Sequence, residues 1–131
     1  MKPLSKEDFQ ELVRRQEDPS VSIYLPLQRG GADAKQNRIR LKNAISEATD
    51  RLEDVGLRAR EAEKLLEPAS QLLHDSPFWK NDADGLTLFL ADDFSRYYRV
   101  PTKFPERVVV SSWFHIKPLI PLVSNDGKFY V

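Results

Sequence analysis

Two runs of helical periodicity between Ala34 and His74 constrain this chain more than any other feature, because they are its longest periodic segments. Leu41, Ile45, Ala48, Leu52 and Val55 mark one face of the first run, which begins at about Ala34. Ala62, Leu65, Leu66, Ala69, Leu72 and Leu73 mark the second, from about Arg60 to His74. Gly56 is placed to end the first helix as a C′ residue with positive φ. Pro68 should kink or divide the second, since it has no amide hydrogen to offer the preceding turn. Each helix has an apolar face that needs a partner surface, and four of the remaining segments read as strands that can supply it.

Val21-Ser22-Ile23-Tyr24-Leu25 alternates towards a strand and is closed by Pro26, which cannot donate to a ladder. Asp84-Gly85 precedes Leu86-Thr87-Leu88-Phe89-Leu90, and Asp92-Asp93 joins this to Ser95-Arg96-Tyr97-Tyr98-Arg99-Val100, a predicted hairpin. A fourth strand is predicted from about Arg107 to Ser111. At the start, Ser5 and Asp8 have capping-box spacing and open a helix over about Lys6 to Gln16, in which Phe9, Leu12 and Val13 recur at helical spacing; Asp18-Pro19 stops it. Ser76-Pro77-Phe78-Trp79 turns the chain, and Pro118 suits the first turn of a short helix over Leu119 to Val123. The fold class that follows is α/β (α+β), a mixed, mainly antiparallel four-stranded sheet with two long helices and shorter terminal helices packed on it.

Residues 1–123 are expected to form one domain. Residues 124–131 carry the turn signal Asn125-Asp126-Gly127 and then Lys128-Phe129-Tyr130-Val131, the expected start of the first strand of a following domain; the alternative is a terminal edge strand of the same sheet.

The 131 residues include no cysteine, which excludes disulfides, thiolate metal sites and cysteine nucleophiles and points to a cytoplasmic address. The charged start and the lack of any transmembrane-length apolar run predict a soluble chain with no membrane partner. His74 and His115 are the only histidines and stand in no ligand pattern, so neither a metal nor a cofactor is expected. His115 lies near Ser111 and Ser112, but two residues at one strand end without an orienting third make no triad; no catalytic residue is expected. Asp82, Asp84, Asp92 and Asp93 read as turn residues rather than as a paired-carboxylate site.

Lys plus Arg and Asp plus Glu are equal at 20 each, so only the placement of charge is informative. From Gln28 to Lys42 there are five basic residues (Arg29, Lys35, Arg38, Arg40, Lys42) against Asp33 alone. Arg29-Gly30-Gly31 precedes a helix N-terminus, where free amides favour an anion, though its spacing is neither that of a P-loop nor of a dinucleotide fingerprint and a plain connecting loop predicts the same residues. Lys35, Arg38 and Lys42 follow i, i+3, i+7 and share a helix face that could track phosphates; a solvated amphipathic face gives the same pattern. Phe94, Tyr97, Tyr98 and Trp113 are of the type that stacks bases, but on strands they are expected chiefly as core and cross-strand pairs.

These segments together resemble the N-terminal domain of the archaeo-eukaryotic peptide-chain release factors, and more closely their bacterial relatives. The strand Val21–Pro26 with its polar loop and basic helix, the Asp84-Gly85 strand, Arg38-Ile39-Arg40-Leu41-Lys42-Asn43, Phe78-Trp79, Phe114-His115-Ile116-Lys117-Pro118-Leu119 and Asp126-Gly127-Lys128-Phe129-Tyr130-Val131 carry the likeness, with Phe114 and His115 as family-like positions. The resemblance implies a following middle domain, which in true release factors bears a Gly-Gly-Gln loop; this chain has none. Where Tyr-x-Cys-x-x-x-Phe of the codon readers would fall stand Val108, Val110 and Phe114, and Asn-Ile-Lys-Ser is absent. The implied function is a non-catalytic domain associated with the ribosome, tRNA or rRNA, in termination-like work or ribosome rescue, with its own downstream domain as a partner. The alternatives are a small-molecule phosphate-binding or hydrolytic module using Arg29-Gly30-Gly31, and a protein-interaction scaffold using the apolar exit Ile116 to Val123.

Overall fold

The computed structural model describes residues 4–28, 34–80 and 83–124. Helix α1 (Lys6–Arg14) leads to strand β1 (Ser20–Pro26), followed by helices α2 (Ala34–Asp54), α3 (Ala59–Leu72) and the short α4 (Ser76–Trp79). Strands β2 (Gly85–Ala91), β3 (Phe94–Val100) and β4 (Arg107–Ser111) come next, then a 3-10 turn (Lys117–Leu119) that runs into α5 (Ile120–Ser124). The strands form one four-stranded sheet in the order β3-β2-β1-β4, with every pairing antiparallel. The expected α+β class is the observed one.

The sheet is buried on both faces, so β1 and β2 are enclosed almost throughout. Strand residues alternate between the faces with period two. Val21, Ile23, Leu25, Leu86, Leu88, Leu90 and Val108 meet the helical layer, where Leu41, Ala44, Ala48 and Leu52 of α2 and Ala62, Leu66, Ala69 and Leu72 of α3 close the core. On the opposite face Tyr24, Phe89, Phe94, Tyr98 and Val100 pack with Leu12 of α1, Phe104, Phe114 and Leu119. Shortening any of the fully buried leucines to alanine costs about 2–5 kcal/mol through lost transfer energy and the cavity left behind.

Local chemistry sets the helix ends. The Asp8 amide donates to Ser5 Oγ and the Ser5 amide to Asp8 Oδ2, each at 3.0 Å, the reciprocal capping box read in the sequence. At the end of α2, Gly56 has φ 109° and its amide reaches the Glu53 carbonyl, while the Leu57 amide reaches that of Leu52. This pair of bonds is a Schellman cap. Val55, expected on the buried face, falls in that turn and is 59% exposed. Val13 of α1 is likewise exposed, whereas Leu12 is buried. Helix α3 is not divided: it continues through Pro68 and ends at Leu72, whose carbonyl accepts from Trp79 Nε1 at 2.7 Å. The same carbonyl accepts from the Asp75 amide at 3.2 Å, so the indole is a second donor to a group at the helix C-terminus.

Gly85 is fixed by close approach, since a Cβ there would lie 2.0 Å from the Thr102 carbonyl oxygen. The Asp84 amide donates to Val100 and its carbonyl accepts from Leu27, so the Asp-Gly pair seats β2 between its neighbours. The exit segment offered as an apolar interaction surface is largely core. Leu119 is fully buried and Ile116 and Leu122 pack on the second face, leaving Ile120 exposed.

Candidate nucleic-acid interface

Helix α2 presents a buried stripe of Asn37, Leu41, Ala44, Ala48 and Leu52. At about 100° per residue, Lys35, Arg38 and Lys42 lie on one flank of this stripe and Arg40 on the other. Lys35 and Lys42 are exposed, and among the described residues neither pairs with a carboxylate. Arg38 is half-buried; its Nη2 lies 3.4 Å from Ser76 Oγ on α4, and its buried Nε has no hydrogen-bond partner among the described residues. Arg40 instead points to the start of β4, where Nε lies 3.3 Å from Glu106 Oε2. Among the described residues the basic run therefore divides into a cationic flank of Lys35, Arg38 and Lys42 and the ion-paired Arg40. Arg29, Gly30 and Gly31, and with them the anion-loop expectation, lie outside the described residues, as do Asp82 and Lys128–Val131.

The base of that loop is nevertheless defined. Asn37, 1% exposed, accepts from the Gln28 amide at 2.9 Å and donates to the Gln28 carbonyl at 3.0 Å. A side-chain carboxamide thus completes both backbone groups of Gln28 and ties the exit of β1 to the first turns of α2. Sequence reasoning missed this residue. Its position four residues before Leu41, where an apolar side chain would continue the stripe, is the signal that could have revealed it.

His115 lies on the second face of the sheet, held through its backbone. Its amide donates to Ser22 Oγ at 2.9 Å, and its carbonyl accepts from the Tyr24 hydroxyl. The imidazole meets the Tyr24 ring edge-on at 5.9 Å between centroids. Burial, and then the positive charges of Arg107 and Lys117, hold its pKa below the usual histidine range, favouring the neutral ring. Burial likewise pushes the Tyr24 phenol up, so it stays a hydrogen-bond donor. Among the described residues no hydrogen bond joins the His115 ring to Ser111 or Ser112, and no group of three or more His, Asp or Glu side chains is placed to hold a metal. No helix among the described residues is long and apolar enough to cross a membrane.

Of the aromatic candidates, Phe94 and Tyr98 are core residues, whereas Tyr97 and Trp113 are 41% and 59% exposed. Arg15 and Arg96 flank the Phe94 ring at 3.9 and 4.6 Å and both approach Glu11, which binds α1 to β3 rather than leaving a free stacking platform. In comparisons with known proteins, no family model and no curated protein matches the chain.

Proposed function

We propose that this chain is the non-catalytic N-terminal domain of a bacterial release-factor-like protein, and that it associates with the ribosome or with tRNA or rRNA through the exposed flank of α2. The observation that carries the reading is the contrast along that helix. Arg40 and Arg51 are matched by Glu106 and Glu47, while Lys35 and Lys42 are exposed and, among the described residues, have no carboxylate partner. Unmatched cations at helical spacing gain counterion-release energy on meeting phosphates, and paired ones gain little. The family-like residues have matching physical roles: Gly85 permits close approach, Trp79 caps α3, and Phe114-His115 anchors the exit segment against β1. Such residues preserve a scaffold, so the binding chemistry rests on the α2 flank.

The experiment is co-sedimentation of the chain with bacterial ribosomes at low and moderate salt. The wild-type chain is expected in the ribosomal pellet at low salt and to be released as salt rises. The Lys35→Ala/Lys42→Ala double variant is expected to need less salt for release while melting normally, because neither side chain touches the core. No pelleting of the wild-type chain at low salt sinks the proposal.

A further inference from the structure

Tyr97 is an aromatic side chain that the core leaves available. On β3, an edge strand, Ser95, Tyr97 and Arg99 alternate with the buried Phe94, Tyr98 and Val100 and so turn to the helical face. Helix α3 roofs β2 on that face, and beyond it Tyr97 is 41% exposed.

Helix α4, whose Phe78 the Tyr97 ring meets, also takes contacts from two arginines. Arg38 reaches its Ser76 hydroxyl, and Arg99 Nη1 donates to the Phe78 carbonyl at 2.9 Å with its guanidinium 4.9 Å from the Phe78 ring centroid. The Tyr97 ring meets that same Phe78 edge-on at 5.2 Å. Phe78 is only 4% exposed, so of the two rings Tyr97 is the one open to solvent. Neither Arg38 nor Arg99 forms an ion pair with a carboxylate among the described residues. Beside Tyr97, a cleft of about 420 Å³ opens between α3 and β3, with Leu72 and Leu88 in its apolar floor and Gln71 and Ser95 at its edge. Asp75 also lines it, but one oxygen is engaged by the Phe78 amide at 3.1 Å.

We propose that this cleft and Tyr97 form a docking site for an unpaired nucleobase of single-stranded RNA, continuous through α4 with the cationic flank of α2. The proposal rests on the RNA-binding reading of that flank. An aromatic face accepts any base, and nearby guanidiniums hold the backbone, the combination that single-strand binders use. The leucines of the cleft give the base an apolar contact, and Gln71 and Ser95 supply donors and acceptors for its edge. A duplex conceals base faces and meets only the cations, so the site distinguishes unpaired from paired RNA.

The test is fluorescence anisotropy of the 131-residue chain with a labelled single strand of about 12 nucleotides and with the duplex it forms with its complement. Tyr97→Ala and Tyr97→Leu should each weaken single-strand binding about tenfold, leave duplex binding within about twofold, and keep the salt slope, since no charge is lost. Tyr97→Phe should bind as the wild type does. Tyr97→Leu keeps an apolar contact on Phe78, so its loss cannot be assigned to an unpacked α4. If both ring-less variants bind the single strand normally while Lys35→Ala/Lys42→Ala weakens strand and duplex alike, the nucleobase site is refuted and the flank stands. Equal weakening of strand and duplex by the Tyr97 variants also refutes it. If the wild-type chain binds neither RNA at low salt, both proposals fall.

Discussion

Replacing Asn37 with alanine should destabilise the domain out of proportion to the atoms removed. The side chain is 1% exposed and makes two hydrogen bonds, at 2.9 and 3.0 Å, to the amide and carbonyl of one residue, Gln28. Each bond contributes about 1 kcal/mol net, and a buried group left without its partner loses up to about 3 kcal/mol. Gln28 is half-buried, so water repairs part of the damage, and a total of about 2–3 kcal/mol follows. For a chain of this length that is a fall in Tm of roughly 8–12 °C. Thermal and urea unfolding followed by circular dichroism measure it, and an unchanged m-value would show that the denatured state is unaltered. Asn37→Asp adds a signature that packing alone cannot produce. Its carboxylate can still accept from the Gln28 amide but opposes the Gln28 carbonyl, so this variant should regain stability on mild acidification, when a protonated carboxyl can donate. A melting temperature for Asn37→Ala within about 2 °C of wild type would refute the clamp.

Gly85→Ala sets a Cβ 2.0 Å from the Thr102 carbonyl, a contact no rotamer change relieves, and should cost more than about 2 kcal/mol in urea unfolding. Trp79→Phe keeps the packing against Phe78 but removes the bond to the Leu72 carbonyl, so a loss of about 1–2 kcal/mol is expected by the same measurement. For His115, burial and the neighbouring Arg107 and Lys117 lower the folded pKa, so below about pH 6.5 the unfolded chain binds protons that the folded chain resists. Its contribution is therefore present above the unfolded pKa and lost as pH falls towards the folded one. His115→Gln should show a shallower loss of stability from neutral to mildly acid pH, and an unchanged pH profile would contradict that assignment.

Much of this architecture is legible in the sequence because local rules act without competition there. Ser5 and Asp8 announce the first helix, Gly56 ends the second, and the hairpin around Asp92-Asp93 falls where alternation and turn residues agree, with Asp93 at φ 59°. Strand order was not legible, since it depends on which apolar faces meet in space. The partners of Asn37, Trp79 and Tyr24 are not legible for a related reason: each satisfies a backbone group distant in the fold or across a loop, and no periodicity encodes that partner. Val55 shows the reverse error, a residue in phase with a helix that has already ended. At the candidate interface the i, i+3, i+7 spacing placed Lys35, Arg38 and Lys42 together, but only the fold reveals that Arg40 is paired with Glu106 and that Arg38 turns to Ser76.

On the proposed reading, one flank of α2, and not its basic composition, meets RNA phosphates. The most direct test compares variants that remove the same charge from opposite flanks of the helix. Ribosome affinity of the chain is measured against salt for Lys42→Ala, Lys35→Ala and Arg40→Ala. Each lysine variant should lower the slope of log affinity against log salt by about one unit, while Arg40→Ala, whose guanidinium already lies 3.3 Å from Glu106, should leave the slope at the wild-type value. Equal slopes for all three variants, or a larger change for Arg40→Ala, would contradict the account.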